Sequence, residues 1–146
     1  MRRIAFASLF LVLAACSKDK EVNPPAELVD FRQTLAVERA WDASVGGGDA
    51  ALRLGLGATV VGDRVYAAGH GGEIAAFALA NGRALWQTKT KAPLAGSTGA
   101  DATLVVAGSS QDEVIALSGE SGSVLWRVRV RGEVLSAPLV APTAVV

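Results

Sequence analysis

The sequence predicts an all-β chain built from four-stranded β-propeller blades, and three observations carry that expectation. Two segments superpose without gaps 40 residues apart, Glu73 to Trp86 (EIAAFALANGRALW) and Glu113 to Trp126 (EVIALSGESGSVLW). Apolar residues within each unit alternate with the period of strands. The composition is 51% apolar with 16 Gly and 5 Pro, which suits short strands joined by many turns. A period of this length with Gly and Trp landmarks marks a propeller or a solenoid. After residue 37 no segment keeps helical spacing for more than a turn or two, which argues against a helical solenoid.

The first element is not part of the repeat. Arg2 and Arg3 form a positive lead, and Ile4 to Leu13 is an apolar run of ten residues. A membrane-spanning helix needs about 20 such residues, so the run reads as the apolar stretch of a signal peptide covering residues 1–15. It ends in Leu13-Ala14-Ala15-Cys16, which resembles the lipobox of bacterial lipoproteins. That resemblance implies cleavage after Ala15 and lipidation of Cys16, with several acyl chains making the anchor stable. Ser17 directly after the cysteine fits transport to the outer membrane in that group. Residues 16–36 read as lipidated Cys and polar tether, because Ser17 to Ala26 (SKDKEVNPPA) holds almost nothing to bury. Leu28 to Val37 reads equally as one helical turn or as a lead-in strand.

The partial propeller is expected over 37–146, with repeat units at about 54–93 and 94–133 and a third beginning at about 134. Val37 to Trp41 ends like the later units, 45 residues ahead of Trp86. Strands are expected at Arg64–Ala68, Glu73–Leu79 and Arg83–Thr90. The Gly69-His70-Gly71-Gly72 run turns the chain between the first two, and Asn81-Gly82 is a hairpin signal because both residues tolerate positive φ. Leu85 and Gln87 fall on one face of the third strand, Trp86 and Thr88 on the other. The second unit turns at Ser121-Gly122. Its following strand, Val124–Val130, places Val124, Trp126, Val128 and Val130 on one face. A fourth strand is expected near Gly96–Gly99 and again near Ser136–Val140. The register continues to the end, with Val105-Val106 mapping onto Val145-Val146.

Several chemistries are excluded at this level. Lys plus Arg and Asp plus Glu both number 14, so no basic excess is available for phosphates, and nucleic acid is not an expected partner. One Cys and one His exclude an intrachain disulfide, a cysteine metal cluster and a paired-histidine metal site. His70 sits in a turn without a ligand partner and reads as a surface residue. Gly46-Gly47-Gly48 and Gly55-Leu56-Gly57 lack the Lys-Ser/Thr and helix that a phosphate loop needs. Arg127, Arg129 and Arg131 line one strand face, as a solvated rim or a partner contact. No catalytic, cofactor-binding or metal-ligating residue is assigned.

The repeat resembles the quinoprotein-type propeller motif, broadly Ala-x-Asp-x-x-x-Gly-Lys-x-x-Trp. It stands here as Ala76…Gly82-Arg83…Trp86 and Ala116…Gly122…Trp126. Ala78 and Ser118 occupy the Asp position, and Ser123 replaces the basic residue. The resemblance implies that Trp86 and Trp126 dock against the neighbouring blade while Gly82 and Gly122 make the turns. Lipobox, tether, a Trp41-led stretch with Val45-Gly46-Gly47-Gly48 and quinoprotein-like blades, in that order, resemble the BamB family, the lipoprotein subunit of the machinery that assembles outer-membrane β-barrels. That implies an eight-bladed propeller of roughly 320 residues, of which two blades and part of a third stand here. It implies a non-enzymatic scaffold with no cofactor, lipid-anchored at the outer membrane and facing the periplasm. Implied partners are BamA through its POTRA domains, other subunits of the complex and unfolded outer-membrane proteins. The reading from a different class is a fragment of a quinone (PQQ)-dependent dehydrogenase, which needs Ca²⁺-binding carboxylates and a cofactor sandwich that these residues do not supply.

Overall fold

The computed structural model describes residues 25–47 and 55–146. The expected signal peptide, Cys16 and the start of the expected tether lie outside the described residues, as does Gly48. Residues 25–37 form a unit of their own, with neither helix nor strand, and all their side chains are exposed. Neither expectation for Leu28–Val37 is met.

The second unit, Glu38–Val146, is all-β among the described residues. Its strands are β1 (Thr59–Val61), β2 (Arg64–Ala68), β3 (Glu73–Ala78), β4 (Ala84–Lys89), β5 (Gly99–Ala100), β6 (Leu104–Gly108), β7 (Glu113–Ser118), β8 (Val124–Arg129), β9 (Val140–Ala141) and β10 (Ala144–Val145). They form two four-stranded antiparallel sheets, β1-β2-β3-β4 and β5-β6-β7-β8, followed by the hairpin β9-β10. These are two blades and the opening of a third.

The turns are where the local chemistry demands them. Gly82 and Gly122 have φ of +69° and +72°, a region that costs a side chain about 1–2 kcal/mol. Their N–H groups donate to the Ala78 and Ser118 carbonyls at 2.8 and 2.9 Å. The Asn81 side chain accepts from the Arg83 N–H at 3.0 Å, closing the turn a second way. The β3–β4 register shifts between Ala76 and Phe77, and β7–β8 between Ala116 and Leu117. The bulges leave Leu85 and Leu125 unpaired, so the strict alternation expected along β4 and β8 is interrupted at the same place in both blades.

Each blade is sandwiched. The main core joins the two blades, Tyr66, Ala68, Ile74 and Ala76 of the first meeting Val105, Ala107, Ile115 and Leu117 of the second. The opposite face of blade 1 buries Val65, Ala75 and Phe77 against Trp41 and Val45. The opposite face of blade 2 buries Val106, Val114 and Ala116 against Val134, Val140 and Val145. Alternate strand residues thus serve different blade neighbours, as a stacked repeat requires.

Two strand expectations need correction. The segments expected to be fourth strands, Gly96–Gly99 and Ser136–Val140, overlap true strands only at Gly99 and Val140. Those strands, β5 and β9, are each the first strand of the following blade, and blade 1 has its own first strand in Thr59–Val61, which the reading of the sequence lacked. The reason is length: two or three residues cannot display alternation. They are held instead by neighbours, through Ser97 Oγ donating to the Gly55 carbonyl at 2.9 Å and Thr98 Oγ1 donating to the Tyr66 carbonyl at 3.2 Å. A Cβ on Gly99 would overlap the Pro138 carbonyl, so the strand sits directly on the next segment's backbone.

Lys91 holds a φ of +65° in the β4–β5 connection without a glycine. Lys91→Gly is expected to raise stability by about 1 kcal/mol, since relief of the left-handed penalty outweighs the added chain entropy. An unchanged or lower denaturation midpoint would contradict this.

Candidate functional site

The residues singled out by the repeat converge on one construction, a tryptophan from one blade seated on the glycine turn of the next. Trp86 leaves β4 and lies over the β7–β8 turn. Its indole Nε1 donates to the Gly119 carbonyl at 3.0 Å, and a Cβ on Gly122 would come within 2.6 Å of its ring. Thr88, two residues on, donates to the Gly122 carbonyl at 2.6 Å. The same device recurs one blade earlier. Trp41 Nε1 donates to the Leu79 carbonyl at 2.8 Å, and a Cβ on Gly82 would meet its ring at 2.6 Å. Leu79 and Gly119 are equivalent positions of the repeat, so the indole finds the same acceptor twice. Trp41 does this without belonging to a strand among the described residues.

Trp126 carries the series onward and is 37% exposed. It borders an open groove with Asp101, Thr103, Leu104 and the β9–β10 turn. Every residue of β8 is exposed, whereas β4 is partly covered by blade 2.

Two further residues belong to the Trp86 clasp and were not singled out from the sequence. Arg64 Nη1 donates to the Gly119 carbonyl at 2.7 Å and the Tyr66 hydroxyl donates to it at 3.2 Å, so that single oxygen accepts from three side chains. The Tyr66 ring lies 6.0 Å from that of Trp86. A signal existed: a tyrosine inside an otherwise apolar strand has a hydroxyl that must find a partner once buried.

Charge is used structurally. Arg127, expected on a solvated rim or a partner contact, instead binds Glu113 Oε2 at 3.1 Å and donates through Nη2 to the Thr90 carbonyl at 2.8 Å, tying blade 2 to blade 1. Its length lets the guanidinium fold back over the strand rather than project from it. His70 is likewise more than a surface residue. Its Nδ1 lies 2.9 Å from the Leu94 carbonyl and its own carbonyl accepts from the Leu94 N–H at 3.1 Å. Glu73 pairs with Lys89 at 3.0 Å, its side chain is 14% exposed, and its carboxylate is walled by Gly46 and Gly71. The Lys89 hydrogen bond, with a backbone bond second, holds the Glu73 carboxyl below its ordinary value. The Thr103 N–H, then that of Leu104, does the same for Asp101.

Because both folded values are lowered, their contribution to stability is present above the ordinary carboxylate range and is lost as pH falls through the folded values. Glu73→Gln and Asp101→Asn should each flatten the loss of stability with acid between about pH 4 and lower pH. An acid-unfolding curve of unchanged slope would contradict it.

No group of three His, Cys, Asp or Glu among the described residues is placed to hold a metal ion. What the arrangement does chemically is mechanical: it locks blades in series.

The family model described as outer membrane protein assembly factor BamB matches residues 33–99 and 85–146. Among curated relatives, the outer membrane protein assembly factor BamB of Burkholderia pseudomallei is 37% identical over 138 residues, covering 94% of this chain and 35% of the relative. That of Bordetella pertussis is 35% identical over 139 residues, covering 93% of this chain and 35% of the relative. The chain therefore spans about a third of the length of these relatives. The crystal structure of BamB from Moraxella catarrhalis has a similar fold, with a TM-score of 0.57 at 24% identity over 64% of this chain and 29% of that one. With four-stranded blades, repeated tryptophan clasps and a matching family model, this chain belongs to the BamB family.

Proposed function

We propose that this chain is the anchored N-terminal part of a non-enzymatic propeller scaffold in the outer-membrane β-barrel assembly machinery, which aids barrel insertion by docking a partner through its blade loops. The observation that carries this reading is how the repeat residues are spent. Trp41, Trp86, Gly82 and Gly122 are consumed in interblade docking, and the charged residues around them are tied to backbone or to each other. A rigid stack of this kind suits recognition of another protein, for which about 800 Å² per partner suffices. The relatives' names, assembly factors of outer membrane proteins, support the same setting.

In this reading the partners are BamA, through its POTRA domains, other subunits of the complex and unfolded outer-membrane proteins. Cys16 carries the lipid anchor and the propeller faces the periplasm. Cys16→Ser is expected to give protein that takes up no acyl label and is uncleaved or mislocalised; normal acylation of that variant would remove Cys16 as the anchor. Crosslinked pull-downs of the full-length protein from envelope membranes are expected to recover an outer-membrane barrel assembly protein. Recovery of no such partner, together with quinone-dependent dye reduction by the purified protein, would favour the dehydrogenase reading instead.

A further inference from the structure

Among the described residues, Lys91 at φ +65° and Asp112 at φ +60° hold left-handed backbone without being glycine. Both lie at one end of the two blades, where the β2–β3, β4–β5 and β6–β7 connections are tied together. The Leu94 N–H donates to the His70 carbonyl at 3.1 Å, the Ser110 N–H to the Pro93 carbonyl at 3.0 Å and the Thr90 N–H to the Gly72 carbonyl at 2.7 Å. On its other side the β6–β7 connection accepts from the Val130 N–H, at the Asp112 carbonyl, at 2.9 Å. Described backbone therefore flanks both residues on either side.

The repeat shows that neither side chain is needed to make its turn. Blade 1 has Gly72, at φ +95°, where blade 2 has Asp112. After blade 2 the left-handed residue is Gly132, at φ +119°, one step past the position equivalent to Lys91. A side chain in that region carries a penalty that glycine does not, eased for an aspartate when it bonds to nearby backbone. Neither Asp112 nor Lys91 makes a side-chain hydrogen bond or ion pair among the described residues, and both are exposed. The charges beside them are used internally, Glu73 by Lys89 at 3.0 Å and Glu113 by Arg127 at 3.1 Å. Backbone strain kept where glycine would serve, under charged side chains with no internal use, marks a contact made outside the chain.

We propose that Lys91 and Asp112 are charged anchors of a protein-docking surface on this loop end, whose occupant is a folded protein surface setting a carboxylate against Lys91 and a basic side chain against Asp112. The inference rests on the scaffold reading above and says where on these blades the partner sits. Opposite signs on the two anchors select against a purely anionic surface. Ala92, Leu94 and Ala95 of the β4–β5 connection are buried, which leaves little for an unfolded apolar segment to hold.

Photocrosslinking in cells making the full-length protein tests this, with a photoreactive residue in place of exposed Gln111 or, at the opposite end of the blades, of exposed Ala80. From Gln111 an outer-membrane barrel assembly protein, identified by mass spectrometry, is expected to be captured, and several-fold less of it from Ala80. Lys91→Gly and Asp112→Gly are each expected to hold or raise the melting temperature while lowering that capture several-fold. Lys91→Glu combined with Asp112→Lys is expected to lower it about tenfold or more, since both charges then repel the partner. Capture from Ala80 alone, capture of unfolded barrel proteins in the partner's place, or undiminished capture in every variant would overturn the proposal and leave the scaffold reading standing. A lower melting temperature in either glycine variant would remove the strain on which the proposal rests. No capture from either position would overturn the proposal, and the scaffold reading with it only if the pull-downs described above also recover no assembly protein.

Discussion

Trp86→Ala in the full-length protein is expected to cost about 3–5 kcal/mol, the range for deleting a large aromatic from a core. The indole covers the Gly122 turn, packs at a tilt beside the Tyr66 ring with centroids 6.0 Å apart and supplies one of the three donors on the Gly119 carbonyl. Its loss opens a cavity between two sheets whose shared core cannot collapse without moving both. Against a total stability of about 5–15 kcal/mol for an ordinary domain, that is severe. Trp126→Ala is expected to behave likewise where a further blade covers it. A melting temperature within a degree or two of the unaltered protein would show that the tryptophans do not lock the blades.

Gly122→Ala is the mirror of that experiment, made from the other side of the clasp. A side chain there meets a φ of +72° and the face of the Trp86 ring at once. The left-handed backbone costs about 1–2 kcal/mol and overpacking about 1–3 kcal/mol, so a loss of about 2–5 kcal/mol is expected. Because both changes break one contact, Trp86→Ala combined with Gly122→Ala should cost clearly less than the two singles added. Strict additivity in denaturant titrations would mean that the two residues act separately.

Much of the architecture was legible because the long strands carry their own pattern. Arg64–Ala68 matches β2 in full, and the expected third strands overrun β4 and β8 by only a residue or two. Those strands are long enough to alternate, and Asn81-Gly82 and Ser121-Gly122 punctuate them. The inner strands were missed at Thr59–Val61 and misplaced at Gly99–Ala100 and Val140–Ala141 because two or three residues owe their form to the segment packed against them. Trp41 was visible as a landmark, yet its docking on Gly82 follows from position in the stack and not from any strand of its own. The clasp was half legible. Repetition exposed Trp86 and Trp126 and the two glycines, because a packing element must recur. Arg64 and Tyr66 escaped for the same reason, since a donor present in one blade and replaced by Leu104 and Val106 in the next leaves no repeat to see.

The most direct test of the scaffold reading is the level of outer-membrane barrel proteins in cells lacking the full-length protein. Quantitative proteomics of outer-membrane fractions is expected to show barrel proteins depleted, and restored by the unaltered protein. Barrel levels that stay unchanged on deletion would contradict the account.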